Sequence, residues 1–322
     1  MTKVSVIIVN WNTGELLVQC VQSLLRLPEK NLIEAIVVID NASTDDSIIR
    51  LESVVLANDE AVPAASGGAF TGGNKLPVHL LKQAQNVGFA RANNLGIHYI
   101  HRTRASRTHI LLLNPDTKVQ SGALEQMVMA LDHHPGVGIV GPKLLNADRT
   151  QQLSVRRLPT LPIFIGWFLK LSRVAGRTRR WREYLWTDFN YEQEQIVEQV
   201  MGAAFLIHQE LLTTIGYLDE RFWVWLEEVD YCRRASAAGW KILYVPAAVV
   251  LHYGGISFNQ LIGWQRSWPF FKSCLHYTRK HLGTGAYVLL ILLLPLALVL
   301  TIPAILFHLG WRNNNEKIKS HV

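Results

Sequence analysis

The chain has 322 residues, enough to bury a full core as one large domain or two. Its formal charge of +7 points to anionic partners: a nucleotide, a nucleic acid or a membrane surface. The three cysteines, Cys20, Cys232 and Cys274, lie far apart with no CxxC spacing, which argues against a disulfide framework or zinc knuckle and fits a reducing compartment.

The first apolar run, Val4 to Val9, is too short for a signal-peptide core and reads as a buried strand. Both "VSVIIVN" and "IEAIVVID" are continuous apolar runs, as expected of parallel strands covered on both faces. Between them, Leu16, Leu17, Cys20, Val21, Leu24 and Leu25 recur at helical spacing, and Pro28 ends the helix. After Asp40, "NASTDDS" is a cap-rich loop before a helix holding Ile48, Ile49 and Leu51. Residues 57–77 are rich in Ala, Gly and Pro and aperiodic, so a flexible insertion is expected there. A short strand ("VHLLKQ"), a helix ("FARANNLGIHYIH") and a strong strand ("THILLLNPDT") follow. This βαβαβαβ order predicts an α/β fold with a Rossmann-like, mostly parallel sheet and helices on both faces.

Farther on, a helix is expected around 121–132 and short strands near 137–145 and 151–156. From Arg149 to Arg182 there are nine Lys and Arg and no acid. Within that stretch Phe164, Trp167, Phe168 and Leu171 share a helical face, either packed on the core or laid on anionic lipid. "EQVMGAAFLIHQE" reads as strand, "HQELLTTIG" as a short helix, "LEEVDYCRRASAAG" as a helix stopped by Gly239, and "KILYVPAAVVLHYGG" as strand. Residues 261–285 read as an amphipathic juxtamembrane segment. From Ala286 to Phe307 there are 22 residues without a charge, which predicts a transmembrane helix over 286–310 and a polar tail over 311–322. Pro295 and Pro303 would kink it, and a re-entrant path is the alternative. With no export signal, the expected arrangement is a cytosolic catalytic part anchored to the membrane by its tail.

Several strand ends carry chemistry. Asp40 ends the second strand, where ligands bind in open α/β sheets and a carboxylate can take a ribose hydroxyl or a base N–H. No GxGxxG turn follows the first strand and no GxxxxGK[ST] occurs, which argues against a nicotinamide site and a P-loop. In "LNPDT", residues 113–117, Pro115 fixes a turn from which Asp116 projects, with Asn114 two residues before it. A divalent cation that carries a diphosphate needs only one or two such oxygens. "NVGFARANN" supplies Asn86, a permissive Gly88 and Arg91, a candidate for diphosphate, and His252 ends a strand before a Gly-Gly turn. Finally, "WVWLEEVDYC" puts Glu227, Glu228 and Asp230 directly behind Phe222, Trp223 and Trp225. Acids suit the start of a helix. Three exceed what capping requires, and an apolar wall raises a carboxyl toward neutrality, as a general base needs.

Taken in order, "SVIIVNWN", "VIDNASTDDS", "QNVGFARANN", "LLLNPDT", "MGAAFLIHQE", "IGYLDERFWVWLEEVDYCRRA" and "LHYGGIS" resemble the inverting glycosyltransferases of family 2, of GT-A fold, and their bacterial rhamnosyltransferase-like branch. The resemblance covers roughly residues 3–257. It implies a nucleoside-diphosphate sugar donor, with the branch favouring dTDP-rhamnose, and Mg²⁺ or Mn²⁺ as cofactor. It further implies single-displacement transfer of one sugar to a lipid-linked or cell-surface glycan. Residues 1–117 would form the nucleotide-sugar half and 118–260 the acceptor-binding and catalytic half. By position, Val9, Asn10, Asp40, Asn86, Arg91 and Asn114 would serve the donor, and Asp116 with His252 the metal. Glu228 takes the place of the general base, supported by Glu227 and Asp230, although either glutamate could take the proton. A non-catalytic sugar-nucleotide sensor is the alternative, which the intact carboxylate set disfavours. A nucleic-acid partner is not expected, because no such motif appears.

Overall fold

The computed structural model describes residues 1–57, 62–63, 69–71, 76–103, 108–171, 178–255, 260 and 263–302. The strands are β1 (Val4–Asn10), β2 (Ile33–Asp40), β3 (Val62–Pro63), β4 (Ala69–Thr71), β5 (Val78–Lys82), β6 (His109–Leu113), β7 (Thr117–Val119), β8 (Val137–Leu145), β9 (Val155–Arg156), β10 (Gln195–Val197), β11 (Gln199–Val200), β12 (Ala204–Ile207) and β13 (Lys241–His252). The helices are α1 (Glu15–Leu25), α2 (Ser47–Ala57), α3 (Phe89–Thr103), α4 (Ala123–His133), α5 (Leu161–Phe168), α6 (Arg179–Leu185), α7 (Gln209–Ile215), α8 (Glu227–Ala237), α9 (Trp264–His281) and α10 (Thr284–Val299).

One sheet runs in the order β10-β13-β8-β12-β6-β1-β2-β5-β4-β3, with β7 added on β13. Its β6-β1-β2-β5 portion is parallel, as the alternating pattern predicts. The other half is mixed, because β12 returns from the opposite direction and lies antiparallel to both β6 and β8. Within the expected insertion at 57–77, β4 pairs antiparallel with β5 and β3 antiparallel with β4, extending the sheet edge; residues 58–61, 64–68 and 72–75 lie outside the described ones.

Alternation explains the uninterrupted apolar runs. Val4, Val6 and Ile8 of β1 face a core shared with α1 and α4, while Ile7 and Val9 face a second core under α3, α7 and α8. Each such side chain contributes about 1.5–3 kcal/mol on burial, and neither face can be given up to water. Parallel β1, β2 and β6 then end at one edge, which puts Asn10, Asp40 and Asn114 together there. All three cysteines are buried and free.

A third core joins α5, α9 and α10 to the Phe222–Val229 segment. Phe164, Phe168 and Phe271 are fully buried in it, so the aromatic face of α5 packs inward, while Leu171 beyond it stays exposed. Of the transmembrane helix expected over 286–310, residues 303–310 lie outside the described ones. Among the described residues no helix is long and apolar enough to cross a membrane. The 16 residues of α10 extend about 24 Å, short of a hydrocarbon core of about 30 Å. Its Leu290 and Ala297 are buried in the third core, whereas Val288, Leu292, Leu296 and Val299 face outward. Residues 303–322, with the polar tail, lie outside the described ones.

Charge fastens α8 to α9. Asp230 is fully buried; its Oδ1 lies 2.6 Å from Lys280 Nζ and 2.7 Å from His281 Nε2, and Arg234 Nε donates to its Oδ2 at 2.8 Å. Lys280 also reaches Asp219 at 2.8 Å, which His276 approaches at 3.1 Å. Burial alone would raise the Asp230 carboxyl, but the bonds from His281, Lys280 and Arg234 outweigh it and hold the group below its ordinary range. A lowered carboxylate stabilises fully above its unfolded value of about 3.9 and loses that contribution as pH falls through the folded value. Asp230→Ala removes the buried carboxylate shared by Lys280, His281 and Arg234 and should cost about 3–5 kcal/mol in urea unfolding at pH 7. The deficit should shrink as the unfolding series is carried toward pH 3.

Candidate active site

The parallel strand ends open into a cavity of about 390 Å³. Val9 and Trp11 follow from β1, Asn41 from β2, Asn86 and Gly88 precede α3, and Asn114 and Asp116 follow β6. Arg156, Gly202, Trp223, Trp225, Glu227, Glu228, His252 and Arg266 close it from the other half. Of the residues expected from sequence, the cavity collects Val9, Asn86, Asn114, Asp116, Glu227, Glu228 and His252.

The remaining four stand elsewhere. Asn10 is fully buried and joins the strand ends: its Nδ2 donates to Asp40 Oδ1 at 3.4 Å and to Ser43 and Ser47 Oγ at 2.9 Å each. Asp40 lies behind it, 6% exposed, and also accepts from the Ser43 N–H. Arg91 extends from α3 toward Glu220 at 3.8 Å. Asp230 belongs to the α8–α9 ion-pair network.

Asp116 and His252 meet because β7 and β13 pair, with Thr117 opposite His252. His252 Nε2 is 3.4 Å from Asp116 Oδ1, and both residues are buried. On its other side, His252 Nδ1 is 2.8 Å from Gln152 Oε1. Gln152 spends its own Nε2–H on Asn146, so its oxygen is the acceptor and Nδ1 donates. With Nδ1 donating to Gln152, the Nε2 edge of His252 is the one that faces the Asp116 carboxylate, and a nitrogen and an oxygen so placed could share a cation. No cluster of three or more His, Cys, Asp or Glu that could hold a metal occurs among the described residues. A two-residue set still suits an ion that takes its other ligands from water and substrate phosphate.

Across the cavity, Glu227 and Glu228 begin α8. The turn ahead of them is strained: Trp225 and Leu226 take φ of 64° and 69°, a left-handed conformation that bulky residues rarely adopt. The strain is held from two sides. Phe89 N–H donates to Trp223 O at 2.7 Å, and Ser273 Oγ of α9 donates to Val224 O at 2.7 Å. Gly88, at φ 87°, is pressed so close that a Cβ there would stand 2.5 Å from the Trp223 ring. Trp225 in turn packs edge-on against Phe270.

Glu227 is buried and Glu228 half-buried, and one oxygen of each, Oε2, is enclosed without a hydrogen-bond partner. Desolvation pushes both carboxyls up, and the neighbouring Glu228 adds to the rise on Glu227. Arg156 opposes the rise on Glu228. The two carboxyls are thus raised together, and the Arg156 cation bears on Glu228. Arg156 was missed in the sequence, since an Arg in a two-residue strand within a basic stretch carries no local signal.

A family model, described as glycosyltransferase like family 2, matches residues 2–269. The chain is 26% identical over 217 residues to the N-acetylglucosaminyl-diphospho-decaprenol L-rhamnosyltransferase of Mycobacterium tuberculosis, covering 63% of this chain and 67% of that one. It is also 26% identical over 171 residues to the rhamnosyltransferase WbbL of Escherichia coli K12, covering 52% of this chain and 61% of WbbL. In fold it is similar to a mannosyltransferase from Pyrobaculum calidifontis solved with GDP-Man and Mn²⁺, with a TM-score of 0.55 and 15% identity over 94% of this chain and 74% of that one. GalNAc-T7, solved with UDP, GalNAc and Mn²⁺, gives a TM-score of 0.54 at 16% identity over 78% of this chain and 44% of its own. A GT-A-like mixed sheet, two glutamates in the cavity beyond its strand ends and a family match over most of its length agree: this chain belongs to glycosyltransferase family 2 and is a glycosyltransferase.

Proposed function

We propose that the enzyme moves one sugar, with inversion, from a nucleoside-diphosphate sugar to a lipid-linked glycan acceptor and uses Mg²⁺ or Mn²⁺. The observation that carries this reading is one cavity with the Asp116–His252 pair on one wall and the Glu227–Glu228 pair on the other. The names of the two rhamnosyltransferase relatives support rhamnose as the donor sugar, and the decaprenol-linked substrate in one name supports a lipid-linked acceptor.

A divalent ion held by Asp116 and His252 would supply charge neutralisation on the leaving diphosphate. The chain's own residues do the rest. Glu228 takes the proton as the acceptor hydroxyl oxygen bonds to the anomeric carbon; the bond to diphosphate breaks, and its electron pair leaves with the nucleotide. Glu227 stays protonated beside it, so that one negative charge, not two, faces the acceptor. Trp223 and Trp225 wall the reacting centre from water. Membrane attachment is assigned to the outward apolar face of α10, where Leu292 is 71% exposed.

Glu228→Gln should lower transfer by about 10²–10⁴-fold, while binding of the nucleoside diphosphate persists; undiminished turnover removes the assignment. Transfer needs ionised Glu228, so the acid limb of kcat/KM should lie above the ordinary Glu value of about 4.3. Arg156→Met should move that limb to still higher pH, because the cation that favours the ionised form is gone.

The metal reading has its own readout. Asp116→Ala should abolish Mn²⁺ binding measured by electron paramagnetic resonance, and Gln152→Leu should weaken it about 10–100-fold. Unchanged Mn²⁺ affinity in Asp116→Ala would count against the site. For the membrane reading, Leu292→Glu should reduce co-flotation with phosphatidylglycerol liposomes, and equal flotation would place attachment elsewhere.

A further inference from the structure

Beside the transfer cavity lies a second cavity of about 570 Å³, within the range of about 300–1,000 Å³ usual for small-molecule sites. The two share Trp11 and Trp223, so an occupant of one touches the wall of the other. Trp264 and Trp268, one turn apart on α9, stack with ring centroids 5.2 Å apart at 15°, and Trp264 is 49% exposed. Four tryptophans thus border one hollow, and the stacked pair spends half-open indole surface on water, which core packing does not explain.

Its polar lining is limited to amides. Asn12 and Gln265 stand at the rim, and Pro269 has no N–H to give the Gln265 carbonyl, so that oxygen lacks its usual helical partner. No lining residue carries a charge. A diphosphate or an anionic lipid headgroup would find no cation there, whereas Arg156 and Arg266 line the cavity next door. Flat indole faces with amide donors and carbonyl acceptors match a sugar ring, which offers C–H faces to aromatics and hydroxyls to amides.

We infer that this tryptophan groove is a saccharide subsite that seats a sugar ring of the acceptor beside the transfer cavity. The inference rests on the transferase reading given above and deepens it. One turn of α9 then serves both partners, with Trp264 and Trp268 under the sugar and Arg266 in the transfer cavity.

The test is saturation-transfer NMR on the full chain with methyl rhamnoside, methyl glucoside and methyl N-acetylglucosaminide, and with UDP and dTDP plus Mn²⁺ in parallel. At least one glycoside should receive saturation from the wild type. Trp264→Ala/Trp268→Ala should reduce it about tenfold, and Trp264→Phe, which keeps a ring, should retain more. Nucleotide saturation in the same variants shows that they are folded. No glycoside signal from the wild type, or an equal signal from the double variant, overturns the subsite. Failure of the nucleotides with the wild type would instead strike the transferase reading. A blue shift of tryptophan emission on phosphatidylglycerol vesicles that the double variant loses, without glycoside saturation, would make the groove a lipid contact and also overturn it.

Discussion

Two neighbouring carboxyl groups in a partly dry wall resist ionising together, because burial and mutual repulsion raise both. The cavity beyond the strand ends is organised around that constraint. Glu227 and Glu228 are consecutive, buried or half-buried, and each keeps an oxygen without a partner, so neither is absorbed into a structural ion pair. A backbone hydrogen bond and the nearby Arg156 cation both favour the ionised form of Glu228. The third acid of the same helix is treated in the opposite way. Asp230 is surrounded by Lys280, His281 and Arg234, and its charge holds the fold rather than serving the cavity. Acids one turn of a helix apart thus differ in function through what lies against each face.

Holding the first pair requires force from outside the helix. The left-handed turn at Trp225 and Leu226 is unfavourable by itself, of the order of 1–3 kcal/mol per residue. It persists because Gly88 and Phe89 grip Trp223 from the nucleotide half while Ser273 grips Val224 from α9. The two halves of the sheet and the helical third core therefore converge on five residues, 222–226. Strain stored at that junction aims two carboxyls into the cavity instead of letting them turn outward to solvent.

Much of this was legible in the sequence, and the reason is local. Strands β1, β2 and β6 announce themselves because covering both faces makes most of their residues apolar. The cavity positions of Asn114, Asp116 and Glu228 were legible because they follow strand ends or open a helix, where a neighbour's identity already tells much of the geometry. What escaped depends on long-range packing. Asp40 ends its strand as expected, but the Asn10 amide and the Ser43 loop lie around it, and the adjacent Asn41 takes the cavity wall. The Arg156 side chain gains meaning only from Glu228, 72 residues later in the chain. The packing of the tail is hidden for a related reason. Hydropathy counts apolar residues without knowing that α5 and α9 will cover one side of α10.

The cysteines draw a last consequence from this packing. Cys20 lies beneath the turn that carries Asp116, where its thiol approaches the Asn114 carbonyl, and Cys232 lies on α8, the helix that carries Glu227 and Glu228. Burial pushes the Cys20 thiol up to about 12 and raises those of Cys232 and Cys274 as well. Thiolate is the reactive form, so all three are chemically silent at physiological pH. The cavity is thus built against sulfur that the fold encloses, and slow modification by alkylating agents is expected for as long as the fold stands.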